Sequence, residues 1–503
     1  MPAAAPFSRL DPRVCERARL TRDARFDGLF FTAVTSTGIY CRPVCPAPAP
    51  HARNVRYYES AAAAASAGFR PCLRCRPEAA PGSPLHRAKS DLVGGALRLI
   101  ENGALDHGSL PQLAARVGIG ERHLRRLFAE EVGASPMQVA ATRRLLFARQ
   151  LLAETALPIS RVADAAGYAS LRRFNASFVA TYGKPPRALR REQRGSSRAD
   201  RKPASDGSVA SPARERDSIE LRLPYRAPYD FANLLAFHAR RTIPGVEAVD
   251  ADGYRRSIVI DGESGWFEVA RRRGEDALAL RVHHPDAGAL GRIVARVRRM
   301  FDVDADPRAV AQAFRGDALL KPLIRRWPGQ RLPGAWDGFE LAVRAVLGQQ
   351  VSVAAARTLA ARVAASFGTP FAGGAAAGLG TMFPTPERLA DAPLERLGVA
   401  RARAESIRAV ARAMLDGRVA FHAEQSPADF EREWVALPGI GAWTAQYIAL
   451  RARSHPDAFP AADLILRRAA GRGRALTARE LEVRSEAWRP WRAYAVMLLW
   501  RSA

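Results

Sequence analysis

Two sets of residues in this chain of 503 have the types and spacing to do chemistry. The first is four cysteines in two tight pairs, Cys41-x3-Cys45 in "GIYCRPVC" and Cys72-x2-Cys75 in "FRPCLRC". This spacing predicts one Zn2+ held by Cys41, Cys45, Cys72 and Cys75. Most four-thiolate sites are closed structural staples. Their net charge of about −2 still leaves each sulfur electron-rich, so one of them could act as a nucleophile. Alkylation of one sulfur would cut that charge to about −1 and lessen its repulsion of a nucleic-acid backbone.

The second set lies near the other end of the chain. In "LPGIGAWTAQYIAL", a Pro-Gly-x-Gly turn between two helical runs forms a tight hairpin. Backbone N–H groups around Gly439 and Gly441 can hold a phosphate at a helix N-terminus. Asp463 in "FPAADLILRR" follows the hairpin, and "RLPGAWDGFELAVRAVLGQQVSVAAAR" precedes it. Taken singly, such an aspartate is more often a helix cap and such a tryptophan more often core. Only the ordered combination points to a site.

The elements that must position these groups fall into blocks of different texture. Residues 1–85 carry the cysteines and end in the turn-rich "RPEAAPGSP". Residues 86–192 are helical, with short helices broken by Gly and Pro. "LPQLAARVGIGERHLRRLFAEEVG" reads as two helices around a turn at Gly118-Ile119-Gly120, and "ISRVADAAGYASLRRFNASFVATYG" repeats the plan. Leu124, Leu127, Phe128, Phe174 and Phe178 fall at core spacing. Arg122, His123, Arg125 and Arg126 in the first unit, and Arg172, Arg173 and Asn175 in the second, are candidates for reading DNA. Residues 193–217 have almost no large apolar side chain and are expected to be a flexible linker. In residues 218–330 the runs "RRSIVIDG", "GWFEVARR" and "ALALRVHH" alternate as strands do. Residues 331–503 are mainly helical, with loops such as "FAGGAAAGLGTMFPTPE".

Composition bounds the function. Hydrophobic residues at 48% suit a folded protein, while a net charge of +27 calls for a polyanionic partner. Five cysteines, four of them paired in sequence, argue against a secreted disulfide framework. No apolar run of membrane-spanning length appears, so a cytoplasmic protein is expected, with no membrane partner.

The residues from "FTAVTSTGIYCRPVC" to "FRPCLRCRPE" resemble the N-terminal zinc domain of the Ada adaptive-response proteins. That resemblance implies that Cys41 accepts a methyl group from a DNA phosphotriester, with Cys45, Cys72 and Cys75 as the remaining ligands. The segment "PAPAPHARN" carries fewer arginines than that family has there. The tandem helical units, closed by "YGKPPRALRR", resemble the AraC family of activators. From about Ile219 onward the chain resembles the helix-hairpin-helix DNA glycosylases of the AlkA, or 3-methyladenine glycosylase II, type. This implies Asp463 as the catalytic carboxylate and Trp443, Tyr447, Trp500 and Phe237 as aromatics around a flipped base. Leu347–Val351 matches the loop that probes the minor groove, with Gln350 as its wedge. Leu464 stands where an aromatic can follow the aspartate. Trp443 occupies the place of the Schiff-base lysine in relatives that also cut the strand, implying base excision without lyase activity. No cysteine follows Cys75, so neither an iron–sulfur cluster nor the second methyltransferase module of longer Ada proteins is expected.

The resulting expectation is a multidomain protein, mainly α with α+β parts. It comprises a small zinc domain, an AraC-like tandem helix-turn-helix, an α/β (TBP-like) domain and a helix-hairpin-helix glycosylase domain. Expected partners are alkylated and promoter double-stranded DNA and RNA polymerase, with the chain a bacterial, nucleoid-associated monomer. The rival reading is a transcription regulator whose zinc is structural and whose glycosylase fold binds DNA without excising bases.

Overall fold

The computed structural model describes residues 11–82, 90–199, 218–422, 425–471 and 474–503. The chain forms two compact units, residues 1–226 with 277–295, and residues 227–276 with 296–503.

In the first unit a small sheet runs in the order Val55–Tyr58, Phe31–Val34, Ile39–Cys41, Arg70–Pro71. The first three strands are antiparallel, and the last pairs parallel to Ile39–Cys41. The helix Ala61–Ser66, capped by the Ser60 hydroxyl, contributes Ala64 to a core with Phe31, Ala33 and Tyr40. These strands of two to four residues are too short to show a period, so the sequence gives no sign of them.

Seven helices follow, from Asp91–Glu101 to Pro186–Ala199. Two of them start with full capping boxes, Ser109 with Gln112 and Ser135 with Gln138. The 19-residue helix Pro136–Glu154 joins two helix-turn-helix units, Leu110–Arg116 with Glu121–Glu131 and Ile159–Ala165 with Leu171–Tyr182. Leu124, Phe128, Phe174 and Phe178 are fully buried, and Leu127 is half-buried. The last helix covers residues 193–199 of the expected linker; residues 200–217 lie outside the described residues. The strands Ile219–Pro224 and Ala277–His283 pair antiparallel in this unit.

The second unit holds an antiparallel meander of Glu247–Val249, Gly253–Ile260 and Glu263–Arg271. Its long hairpin turns on Asp261-Gly262, both at positive φ (52° and 83°), as a two-residue turn matched to strand twist requires. The rest is helical, built on one apolar core running from Phe237 to Leu499. The stretch expected to be a loop instead carries a 3-10 turn, Ala372–Ala377, and a small ladder between Thr369–Pro370 and Thr381–Met382. The helices that matter for the site are Phe231–Ala239, Gly338–Leu347, Val353–Phe367, Ala442–Ala452, Leu464–Gly471 and Arg492–Ser502. Among the described residues no helix is long and apolar enough to cross a membrane.

Candidate metal centre and active site

The parallel strand pair assembles the four cysteines. Tyr40 lies opposite Pro71, so Cys41 and Cys72 leave their strands side by side, and the Cys72 amide donates to the Tyr40 carbonyl at 2.9 Å. A turn closed by Cys45 N–H to Arg42 O (3.1 Å) brings Cys45 back toward Cys41. All four sulfurs lie within 4.8 Å of one another. Tetrahedral Zn–S bonds of about 2.3 Å would separate the sulfurs by about 3.8 Å, so the cage needs only slight contraction. The thiols also perturb one another strongly. Hydrogen bonding with Cys45 pushes Cys41 up, while hydrogen bonds from Cys41, Cys45 and Cys75 pull Cys72 far down. A divalent cation removes this conflict by stabilising all four thiolates together.

Cys41 and Cys45 are partly exposed, whereas Cys72 and Cys75 are buried. Arg42 stiffens the site: its amide donates to Cys75 Sγ at 3.3 Å, and its side chain reaches the Cys75 carbonyl (3.1 Å) and the Asp27 carboxylate (Nε to Oδ1, 2.8 Å). Cys15 lies elsewhere, fully buried against Ala18 and Phe30.

In the helical region, Arg122, His123, Arg125 and Arg126 are exposed on Glu121–Glu131, with Arg125 paired to Glu121 at 3.0 Å. Arg172 and Arg173 are exposed and Asn175 half-exposed on Leu171–Tyr182. The second helix of each unit therefore turns a cationic face outward.

The structure brings Asp463 together with Trp443, Tyr447, Trp500 and Phe237 around a cavity of ≈ 610 Å³ in the second unit. Asp463 is a helix cap as well as a site residue: its Oδ1 accepts from the Leu466 amide at 3.0 Å, at the start of Leu464–Gly471. Both oxygens also face indoles. Trp443 Nε1 donates to Oδ2 at 2.9 Å and Trp500 Nε1 to Oδ1 at 3.2 Å. The carboxylate is thus fixed from three directions while remaining partly exposed. Trp443 stacks on Tyr447, with ring centroids 5.4 Å apart and planes 10° from parallel, because the two lie one turn apart on one helix.

The far wall is dense in arginine, which the sequence reading missed. Arg241 and Arg451 lie over the ring of buried Phe237 at 3.7 and 4.8 Å. Arg451 also donates to the Tyr447 hydroxyl at 2.9 Å. Burial would push this phenol up, but the charges of Arg451 and Arg241 outweigh it and bring it down to about 8. Behind them is a buried ion network. Arg344 bonds Glu247 (3.0 Å) and Glu340 (2.7 Å), Arg256 bonds Glu340 (2.7 Å), and Tyr254 donates to Glu247 (2.6 Å). Arg344 also holds the Arg241 carbonyl, so the network positions the wall that carries Phe237.

The hairpin lies beside the cavity. Gly439 and Gly441 are exposed and Ile440 is buried as its anchor. Gly439 has φ +74°, and a Cβ there would fall 2.0 Å from Ser406 Oγ. The loop between Gly338–Leu347 and Val353–Phe367 also borders the cavity, through Gly348, Val351 and Val353, with Gln350 exposed at its tip.

Four family models match in order along the chain: the metal binding domain of Ada over residues 14–78, a helix-turn-helix domain over 113–192, the AlkA N-terminal domain over 220–337, and the HhH-GPD superfamily base excision DNA repair protein over 343–493. A probable bifunctional transcriptional activator/DNA repair enzyme AlkA of Mycobacterium tuberculosis is 42% identical over 490 residues, spanning 97% of this chain and 95% of that protein. DNA-3-methyladenine glycosylase 2 of Escherichia coli is 34% identical over 284 residues, 55% of this chain and 95% of its own length. The bifunctional transcriptional activator/DNA repair enzyme Ada of Escherichia coli is 42% identical over 129 residues, 25% of this chain and 35% of its own.

Proposed function

This chain belongs to the family of bifunctional transcriptional activator/DNA repair enzymes of the AlkA and Ada type, and we propose that it repairs alkylated DNA by two chemistries while acting as a cytoplasmic transcription activator. The observation that carries the excision reading is Asp463, fixed by two indole N–H groups and an amide at the edge of an aromatic cavity beside the hairpin.

In excision, the nucleotide leaves the stack and its base enters between the aromatic faces. An alkylated purine such as 3-methyladenine is electron-poor, which suits stacking on Trp443 and Tyr447. As the glycosidic bond breaks, its electron pair departs with the base and positive charge grows on the sugar. The Asp463 carboxylate stabilises that charge, and water adds at the anomeric carbon and loses a proton. Trp443 has no amine to form a Schiff base, so the product is an abasic site in an intact strand. Gln350 enters the space that the nucleotide vacates.

At the other site Cys41 acts as the methyl acceptor. Its sulfur forms the new S–CH3 bond while the methyl C–O bond of the phosphotriester breaks, leaving an anionic phosphodiester. Cys41, Cys45, Cys72 and Cys75 would hold a Zn2+ whose charge would keep their sulfurs as thiolates. No step returns the thioether to a thiolate, so each chain reacts once. Loss of one negative charge favours DNA binding by the exposed arginines of the two helix-turn-helix units at promoters, where RNA polymerase is the partner.

The test is to expose the purified chain to methylated duplex DNA and analyse both products. Free alkylpurine in solution and one added methyl on the Cys41 peptide are expected. No released base, or a methyl on another cysteine, would overturn the corresponding half.

A further inference from the structure

The loop that borders the Asp463 cavity is held in an unfavourable backbone conformation. Gln350 has φ +55°, a left-handed value that L-residues other than glycine rarely adopt. Such strain persists only where the surroundings over-determine it, and here several bonds do so. The neighbouring Gln349 side chain donates from Nε2 to the Gly439 carbonyl at 2.9 Å and to the Thr444 hydroxyl at 3.1 Å, both in the hairpin segment. Arg403 donates to the Leu347 carbonyl at 3.3 Å on the preceding side, and Ser352 caps the following helix. The Gln350 side chain is exposed and makes no hydrogen bond among the described residues.

We propose that Gln349 is a positioning residue that ties the loop to the hairpin and so fixes the exposed Gln350 amide where it replaces an extruded nucleotide. This rests on the excision reading above. Gln349 touches neither Asp463 nor the aromatic cage in any hydrogen bond, so it acts on the opening of the duplex and not on bond cleavage. The hairpin that grips the backbone and the residue that fills the stack then move as one body. A polar amide at the tip can also bond to the base left opposite, which an apolar wedge cannot do.

This role makes a signature that a merely structural one does not. Opening costs most when the damaged base is paired and least when it is already unpaired. Gln349→Met keeps the size but removes both donors; Gln350→Ala keeps the tie and removes the tip. Single-turnover release of the same alkylated purine is measured from a matched duplex and from a duplex with an abasic analogue opposite the lesion. Both variants should lose on the order of 10-fold on the matched duplex while staying within about threefold of wild type on the unpaired substrate. Equal losses on both substrates, or no loss on either, would overturn the proposal. Gln349→Glu keeps the shape of the side chain but cannot donate to the Gly439 carbonyl; the same pattern is expected of it, and it decides the matter if the Met variant folds poorly. No release by wild type from either substrate removes the excision reading itself, and this proposal with it.

Discussion

Replacing Asp463 by asparagine separates charge from position at the proposed catalytic group. The carboxylate takes three hydrogen bonds, two on Oδ1 from Leu466 and Trp500 and one on Oδ2 from Trp443. Asparagine offers one oxygen. Turned to keep the pair on Oδ1, it sets its NH2 against the Trp443 indole N–H at a separation near 2.9 Å, donor to donor. That local loss should cost about 1–2 kcal/mol of stability. The missing negative charge should separately slow excision by on the order of 10² to 10³. Binding to an abasic analogue should change little, because the hairpin and phosphate contacts supply most of it. Trp443→Phe removes the opposing donor and should cost less than about tenfold in rate. In the double variant the clash is gone, so roughly 1 kcal/mol of stability returns while the rate does not. Single-turnover excision and thermal denaturation on the four proteins read both effects. Near wild-type excision by the Asn variant would remove Asp463 from the mechanism, and recovery of rate in the double variant would show that the lost hold on Trp443, not the lost charge, slowed the Asn variant.

Metal analysis should find about one zinc per chain, lost in Cys45→Ser and retained in Cys15→Ser, since Cys15 packs away from the four-sulfur cluster. Burial, opposed by the charge of Arg331, raises the Asp302 carboxyl from 3.8 to about 6. Its contribution to stability is therefore full below pH 3.8 and lost as pH rises through 6. Asp302→Asn should flatten the fall in denaturation midpoint over that window, by at most roughly 3 kcal/mol; an unchanged pH profile would contradict this. Gly439→Ala puts a Cβ against Ser406 at φ +74° and should cost about 1–3 kcal/mol along with much of the affinity for duplex DNA, read by denaturation and by binding titration.

What the sequence made legible depends on how local each feature is. The zinc ligands were readable because each pair is closed by its own short turn, and only the parallel pairing of Ile39–Cys41 with Arg70–Pro71 had to be supplied by the fold. The same holds for Trp443 and Tyr447, one helical turn apart. Asp463 and Trp500 were reached through resemblance, since no local pattern says that Trp500 will meet a residue 37 positions earlier. The network of Glu247, Arg256, Glu340 and Arg344 was missed for a physical reason. In a chain with 77 Lys and Arg, an arginine on a strand or helix reads as surface, and partners 84 and 97 residues away give no sign of burial. The Gln349 tie is equally silent, because its acceptor is a backbone carbonyl 90 residues on.

The most direct test follows the intact chain acting on a duplex that contains one alkylated purine, with product strands resolved before and after alkali. Release of the base is expected at a rate set by Asp463, with strand breaks appearing only after alkali. No abasic sites would contradict excision by this chain. Breaks that appear before alkali would contradict the chemistry assigned to a cavity with tryptophan at position 443.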